Sequence, residues 1–378
     1  MKHKIAISLN SSWNLVNFRS GLIEALAGEG YDVVGLAPLD SYSKHLKKIN
    51  CTFIPIKIDT NSRNPFKDLL LFFRYLWVLN REKPHIYLGF TVKPNIYGSL
   101  AAHILGIPVI NNIAGLGRAF SGKNKLISFI TILYKISLHQ SWKVFFQNKT
   151  DLNTFIKLKI IEEKFSYVLP GSGVNLIKYK PIPKTRNEKK IKFLLVSRLL
   201  WEKGINEYVE SAKLIKKDYT DIEFLILGFL NENDSQYVPL KYLKEWHRKG
   251  IINYLGISDD VRAIMSDADC VVLPSYYKEG TPKTLLEAAA LAKPIITSNT
   301  PGCNDVVKHM HNGFLCLPKS TKDLTEKMVE FIHIDNNKKS VFGKNSRVIA
   351  EKYFDERIII QKYQKSIFNI IYENEKSS

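Results

Sequence analysis

The residues best suited to chemistry fall in one stretch, Ser275-Tyr276-Tyr277-Lys278-Glu279-Gly280-Thr281-Pro282-Lys283-Thr284-Leu285-Leu286-Glu287-Ala288. Glu279 and Glu287 stand on either side of a Gly280-Thr281-Pro282 turn that feeds a helix expected over Thr284–Ala292. The first turn of such a helix offers free backbone N–H groups near Pro282–Leu285, which suit a diphosphate. A carboxylate on either side of that anion site can accept hydrogen bonds from sugar hydroxyls. A second cluster, Val196-Ser197-Arg198-Leu199-Leu200-Trp201-Glu202-Lys203-Gly204-Ile205, puts Arg198 at the end of an expected strand and Lys203 at a helix entrance. Two cations at the mouth of one sheet can neutralise a leaving nucleoside diphosphate without a metal. Each pattern has a plain alternative, since paired glutamates are common on solvent-facing helices and Arg and Lys often flank strands.

Other candidates are weaker. Asp267-Ala268-Asp269 has the form of a metal-binding acidic triplet, but it closes a helix before the strand Cys270–Leu273, where acids usually cap or face solvent. Cys51, Cys270, Cys303 and Cys316 lack metal-ligand spacing and read as reduced thiols, so no metal is expected. Gly115-Leu116-Gly117 is too short to identify a nucleotide loop; its glycines would let backbone approach donor phosphates or an acceptor.

The elements that must position these residues alternate. Strands are expected at Lys4–Leu9, Tyr31–Ala37, Cys51–Ile56, His85–Phe90, Pro108–Asn112 and Tyr167–Leu169, with helices at Ser20–Gly28, Pro65–Arg81 and Asn95–Leu105. The alternation restarts with strands Lys192–Val196, Glu223–Gly228, Asn253–Leu255, Cys270–Leu273 and Pro294–Thr297 around helices Gly204–Lys217, Val261–Ser266 and Thr284–Ala292. This pitch indicates parallel sheets covered on both faces. A polar, proline-bearing run at 181–190 is the expected linker. The expected organisation is a first domain at 1–180, a second at 191–354, and a terminal helix at 355–378 crossing back to the first. A ligand cleft between the two is expected at the C-terminal strand ends.

Charge is placed unevenly. The formal net charge is +19, and residues 1–185 hold 25 Lys and Arg against 10 Asp and Glu, a net of +15. An anionic partner is expected for that half. Between Arg118 and Lys149 there is no acidic residue, and Leu126, Phe129, Ile130, Leu133 and Ile136 recur at helical spacing beside Lys123, Lys125 and Lys135. A basic amphipathic helix of that kind fits a membrane interface, or packs on the core. Nucleic acid is not expected, because the Arg-rich stripe and aromatic ladder of single-strand binders are missing. No run reaches the roughly 18 apolar residues that span a bilayer, and the short apolar start, Ile5 to Leu9, reads as a strand and not a signal peptide.

In this order and at these places, the two motifs resemble the retaining glycosyltransferase family 4. The resemblance runs along essentially the whole chain. It includes Phe18-Arg19, Thr91 to Gly98, Asn111 to Gly117, Leu169 to Val174, Tyr254-Leu255-Gly256 and Pro301-Gly302-Cys303, and it leans to the capsule, O-antigen and N-acetylgalactosaminyltransferase branch.

The resemblance implies an α/β protein of the GT-B fold, two doubly wound Rossmann-like domains facing across a cleft. It implies that Glu279 contacts the transferred sugar near the reacting carbon and that Glu287 binds the ribose hydroxyls. Arg198 and Lys203 would hold the diphosphate with Gly280, Thr281, Pro282 and the Thr284 and Leu285 N–H groups, and Gly256 would lie against the base. Asn17, Arg19, Lys93, Asn95, Gly115, Gly117 and Arg118 become candidates for the acceptor side. The implied donor is a nucleotide-diphosphate sugar, UDP-linked by preference, and the acceptor a polyprenyl-diphosphate-linked sugar. The implied location is the cytoplasm, peripheral on the inner face of an anionic membrane. Many members carry a cleft histidine in the first domain; here the nearest, His103 and His139, read as helix residues. A sugar-nucleotide epimerase and a non-catalytic sugar-nucleotide binder are the alternatives.

Overall fold

The computed structural model describes residues 2–60, 64–120, 124–182, 190–232 and 234–377. The chain divides into two compact units, Met1–Ser172 with Glu356–Ser378, and Gly173–Asp355.

The first unit runs β1 (Lys4–Ser8), α1 (Ser12–Gly28), β2 (Asp32–Ala37), α2 (Ser43–Leu46), β3 (Cys51–Pro55), α3 (Pro65–Glu82) and β4 (Ile86–Phe90). A π-helical turn, Pro94–Gly98, leads into α4 (Ser99–Ile104), followed by β5 (Val109–Ile113), α5 (Asn124–Leu138), β6 (Lys143–Phe146), α6 (Lys149–Lys157) and β7 (Ser166–Val168). The second unit holds β8 (Ile191–Val196), α7 (Ile205–Asp218), β9 (Ile222–Leu227), α8 (Leu240–Arg248), β10 (Asn253–Tyr254), α9 (Arg262–Asp267), β11 (Cys270–Leu273), α10 (Lys283–Ala290) and β12 (Ile295–Ser298). It ends with β13 (Gly313–Cys316), α11 (Thr321–His333) and α12 (Asn336–Tyr353), and α13 (Glu356–Ser377) returns to the first unit.

The first sheet is parallel in the order β3-β2-β1-β4-β5-β6-β7, with Ile5 in register with Val33 on one side and Ile86 on the other. Its strands are apolar throughout because both faces are covered. Ile86, Leu88 and Phe90 alternate toward α1 and α13, packing with Leu22, Ile359 and Tyr363. Tyr87 points the other way, into a core with Leu71, Tyr75 and Val78 of α3 and Ala101 and Ala102 of α4. α5 covers the same face further along, where Tyr134 and Leu138 meet Val144 and Phe146 of β6.

The sequence expectation did not place α2, α6, α8, β13, α11 or α12, and three further details depart from it. α1 starts at Ser12, well before Ser20, because Ser11 caps it by accepting the Asn14 N–H at 3.1 Å. The second unit begins at Gly173, ahead of the expected linker. The Val174 N–H donates to the Phe354 carbonyl (2.8 Å), and Arg347 donates to the carbonyls of Leu176 and Tyr179. Residues 183–189 of the 181–190 segment lie outside the described residues. Strand β6 lies inside the basic stretch read as one amphipathic segment; a short Val-Phe-Phe run is buried there, and the helix ends at Leu138.

A polar network is sealed inside the first unit. The Asn111 amide donates to Asn95 Oδ1 (2.9 Å) and Ser99 Oγ (2.8 Å), and Ser141 Oγ donates to Asn111 Oδ1 (2.7 Å). The Asn95 amide donates to the Asn112 carbonyl (2.9 Å), and the Asn112 amide to the Tyr363 hydroxyl (3.0 Å). All of these residues are buried, so each bond removed strands a polar partner. Asn95→Ala is expected to destabilise the protein by about 1–3 kcal/mol, read as a lower urea midpoint at unchanged slope. A midpoint equal to wild type would show that the network is not structural.

Candidate active site

The second sheet is also parallel, in the order β10-β9-β8-β11-β12-β13. The chain leaves β8 toward β9 on one side, and β11 lies on the other, so the β8/β11 boundary is where the strand order reverses. In open α/β sheets the crevice for a ligand opens there, at the carboxyl ends of the strands. The loop after β8 carries Arg198 and Lys203, and the loop after β11 carries Glu279. Both sequence motifs meet at one switch point.

Backbone contacts fix the meeting. The Glu202 carbonyl accepts the N–H groups of Tyr276 (2.9 Å) and Tyr277 (3.1 Å). Gly204 has φ +77°, and a Cβ there would stand 2.2 Å from the Pro274 carbonyl oxygen, so only glycine lets the loops close. A third loop, after β12, braces them. Thr300 Oγ1 donates to the Ser275 carbonyl (3.3 Å), and Gly302, at φ +82°, lies so near the Gly280 carbonyl that a Cβ would overlap it.

The side chains then converge. Lys203 Nζ pairs with Glu279 Oε1, the two side chains being 8% and 12% exposed. Ser275 Oγ donates to the same oxygen at 3.1 Å. The Tyr277 ring centroid lies 5.1 Å from Lys203 Nζ and 6.0 Å from Arg198 Cζ, so one aromatic ring serves both cations. Arg198 is open to solvent on one side. The protein packed on its other sides opposes its charge, while Tyr277, Tyr237 and Glu279 favour it by more, holding its pKa above the ordinary value.

Helix α10 begins beside this pair, with Pro282 at its cap position and no side-chain cap. The N–H groups of Leu285 (3.0 Å) and Leu286 (3.3 Å) both donate to the Pro282 carbonyl. The expected donor role of the Leu285 N–H is therefore corrected: it closes a tight first turn onto Pro282, which leaves the Thr284 N–H as the expected donor. Thr281 is buried under the turn. Glu287 is buried one turn in, and Tyr179 donates to its Oε1 at 2.7 Å. Burial raises the Glu287 pKa, with Lys283 and the Tyr179 hydrogen bond opposing. Gly256, at φ +77°, accepts the Gly228 N–H (2.8 Å) and faces open space where a side chain would project.

The expected acceptor-side residues of the first unit are more scattered. Asn95 is a core residue, as above, and its assignment to a ligand surface is corrected. Arg19 is likewise buried, its guanidinium 4.2 Å from the Phe90 ring centroid, and burial lowers its pKa. Lys93 pairs with Asp68 at 2.5 Å, where Tyr97 also donates (3.1 Å), so it ties the π turn to α3. Asn17 donates to the Trp13 carbonyl within α1. Gly115 and Gly117 adopt positive φ (102° and 51°), and the Arg118 side chain lies outside the described residues. His103 Nε2 lies 2.9 Å from the Ser137 carbonyl, joining α4 to α5. Asp267 pairs with Lys192 Nζ (2.9 Å) and Asp269 accepts the Lys192 N–H (2.9 Å), so both acids anchor the start of β8. No group of three His, Cys, Asp or Glu is placed to hold a metal among the described residues.

Sequence reasoning missed Tyr179 as the partner of Glu287. The two are far apart in the chain, and nothing local to Tyr179 signals the contact. Ser275 and Tyr277 were inside the motif, and their position after a buried strand was the available signal.

Comparisons with known proteins agree along the chain. The family model for glycosyl transferases group 1 matches residues 179–348, and the glycosyl transferase 4-like model matches residues 4–148. The N,N'-diacetylbacillosaminyl-diphospho-undecaprenol alpha-1,3-N-acetylgalactosaminyltransferase of Campylobacter jejuni is 31% identical, over 97% of this chain and 99% of its own. The capsular polysaccharide biosynthesis glycosyltransferase CapM of Staphylococcus aureus is 25% identical, over 99% and 100%. Among solved structures, the Anabaena HepE protein in complex with UDP and glucose superposes with a TM-score of 0.80 at 17% identity, over 97% and 100%. The chain belongs to this glycosyltransferase family and has its GT-B fold, and the epimerase and non-catalytic alternatives give way to a sugar transferase.

The buried Lys203–Glu279 pair makes a stability prediction independent of activity. Removing one member takes the ion-pair partner from a charge that stays largely buried, at a cost of about 3–5 kcal/mol. In a double-mutant cycle read by urea denaturation, Lys203→Met and Glu279→Gln should each destabilise the protein, and the double variant should cost less than their sum. Strict additivity would show that the charges do not interact.

Proposed function

We propose that this glycosyltransferase moves a hexose or N-acetylhexosamine from a UDP-sugar to a polyprenyl-diphosphate-linked sugar, with retention at the anomeric carbon, working on the cytoplasmic face of a membrane. The observation that carries the reading is the pairing of Lys203 with Glu279 beside Arg198 and the α10 start. The Campylobacter relative, similar along the whole chain, is named for a diphospho-undecaprenol acceptor, and the HepE structure holds UDP and glucose; both support the choice of substrates.

Each residue then has a task. Arg198, Lys203 and the Thr284 N–H meet the diphosphate, whose negative charge grows as the bond to the sugar breaks. Lys203 exchanges its carboxylate partner for phosphate, freeing Glu279 Oε1 to accept a sugar hydroxyl near the reacting carbon. Glu287 accepts the ribose hydroxyls, oriented by Tyr179. Gly256 leaves room for the base. No nucleophile is assigned. The acceptor hydroxyl attacks from the face the phosphate leaves, and a phosphate oxygen takes its proton. The first unit takes the acceptor.

Glu279→Gln and Lys203→Met are expected to lower turnover about a hundred- to a thousandfold, measured on protein shown to be folded by circular dichroism. Glu287→Gln should raise the KM for the donor more than it lowers kcat. Near-normal rates in all three would remove the site from the reaction. Product analysis by NMR reads the anomeric configuration directly, and an inverted product would overturn retention.

With Arg198, Lys203 and a helix start set against the diphosphate, we further propose that no metal ion is required as a direct ligand. Turnover by metal-free enzyme should persist in excess chelator. Loss of turnover restored only by Mg²⁺ or Mn²⁺ would contradict this.

A further inference from the structure

We propose that the outer face of α3 seats the first unit on an anionic lipid bilayer; this rests on the lipid-linked acceptor proposed above. α3 is apolar on two opposite faces. Its inner face, Leu71, Tyr75, Val78 and Leu79, is buried in the core of the unit. Its outer face carries Phe66, Leu69, Leu70, Phe73 and Trp77, each between 50% and 82% exposed. Their spacing, i, i+3, i+4, i+7 and i+11, draws one continuous stripe along the helix. Scattered single apolar residues on a surface are ordinary, but a contiguous stripe of five large ones marks an interaction site.

A shorter stripe lies on the same layer of helices. α5 exposes Phe129, Ile132 and Ile136, while Ile127, Ile130 and Leu133 turn inward. The segment between the two helices is tied to both: Lys93 and Tyr97 bond Asp68 of α3, and His103 of α4 meets the Ser137 carbonyl of α5. Both stripes therefore crown the face of the first sheet opposite α1 and α13.

Charge selects the occupant. The flank of the α3 stripe carries Lys67, paired with Asp59, then Arg74, then Arg81, paired with Glu82 and 4.6 Å from the Trp77 ring centroid, in a half of the chain with net charge +15. A second copy would bring a surface of the same sign against this one. An anionic bilayer supplies both an apolar phase for the stripe and negative headgroups for its flank. Tryptophan and arginine side by side near a helix end match the headgroup level. The docking expected from Lys123, Lys125 and Lys135 thereby moves mainly to α3. Lys135 is exposed beside Ile136, whereas Lys123 and the Lys125 side chain lie outside the described residues.

The test compares full-length wild type with a Leu69→Ser/Phe73→Ser/Trp77→Ser variant. Flotation uses vesicles of phosphatidylglycerol with phosphatidylcholine, and of phosphatidylcholine alone, at low and high salt. All three positions are exposed, and folding is checked by circular dichroism and thermal denaturation. Wild type should float with the anionic vesicles, less so at high salt, and the variant's partitioning should fall at least about tenfold. Turnover of an acceptor embedded in vesicles should fall with it, while turnover of a short-chain, water-soluble acceptor stays at the wild-type level. A variant that floats like wild type overturns α3 docking, as does equal loss of turnover on both acceptors. A lipid-free wild-type dimer that becomes monomeric in the variant overturns it in favour of self-association. Wild type that uses neither acceptor instead sinks the lipid-linked reading itself.

Discussion

The second unit's site depends on the close approach of the loop leaving β8 to the loop leaving β11. At Gly204 the backbone takes a left-handed turn directly against the Pro274 carbonyl, and the Glu202 carbonyl gathers two N–H groups from the opposite loop. A side chain at Gly204 would push the loops apart and carry Lys203 away from Glu279. The charged pair is thus a consequence of backbone packing, and its low exposure follows from the same closure. Pairing a cation with an anion there lets both be held with little solvent before a ligand arrives. Burying either charge without the other would cost several kcal/mol more, on the order of a broken buried pair.

The same closure explains the division of labour among the carboxylates. Glu279 sits in a loop, opposite a lysine that can change partners. Glu287 sits inside α10, where burial favours its neutral form and a tyrosine hydrogen bond stabilises the charged one. Removing the Tyr179 hydroxyl would leave burial less opposed. The residue is held in place by Arg347, which donates to its carbonyl and to that of Ala290 at the end of the same helix. One guanidinium thus couples the start of the unit to the helix that carries Glu287.

How much was legible in the sequence follows from how local each signal is. The alternation of buried strands and helices is written in hydrophobic period, so both sheets were expected, and the Glu279 and Arg198–Lys203 motifs fell at strand ends as read. Strand β6 escaped because its buried run is short and sits beside a helix with the same apolar residues. The role of Leu285 was misread because a generic helix start has free N–H groups, whereas the Pro282 carbonyl here takes two of them. Asn95 and Arg19 were assigned to the acceptor side because they fall in blocks that carry the family resemblance. Their burial depends on Asn111, Asn112, Phe90 and Tyr363, which only the fold brings to them. Long-range satisfaction of polar groups is what a single sequence hides.

That hidden satisfaction also separates two units built on one strand order. Both sheets share the strand order 3-2-1-4-5-6, the first adding a seventh strand at its edge, and both have a switch point beside their first strand. In the second unit the loops at that point present charge. In the first, the nearest buried cation, Arg19, is spent on the face of Phe90 under α13, and its Nε makes no hydrogen bond. The asparagines that follow are bonded to one another. A sheet end closed in this way leaves the first unit's chemistry to its surface, where the exposed features are an apolar helix face and an excess of positive charge. Those features differ in kind from the charged loops that the second sheet presents at its own switch point.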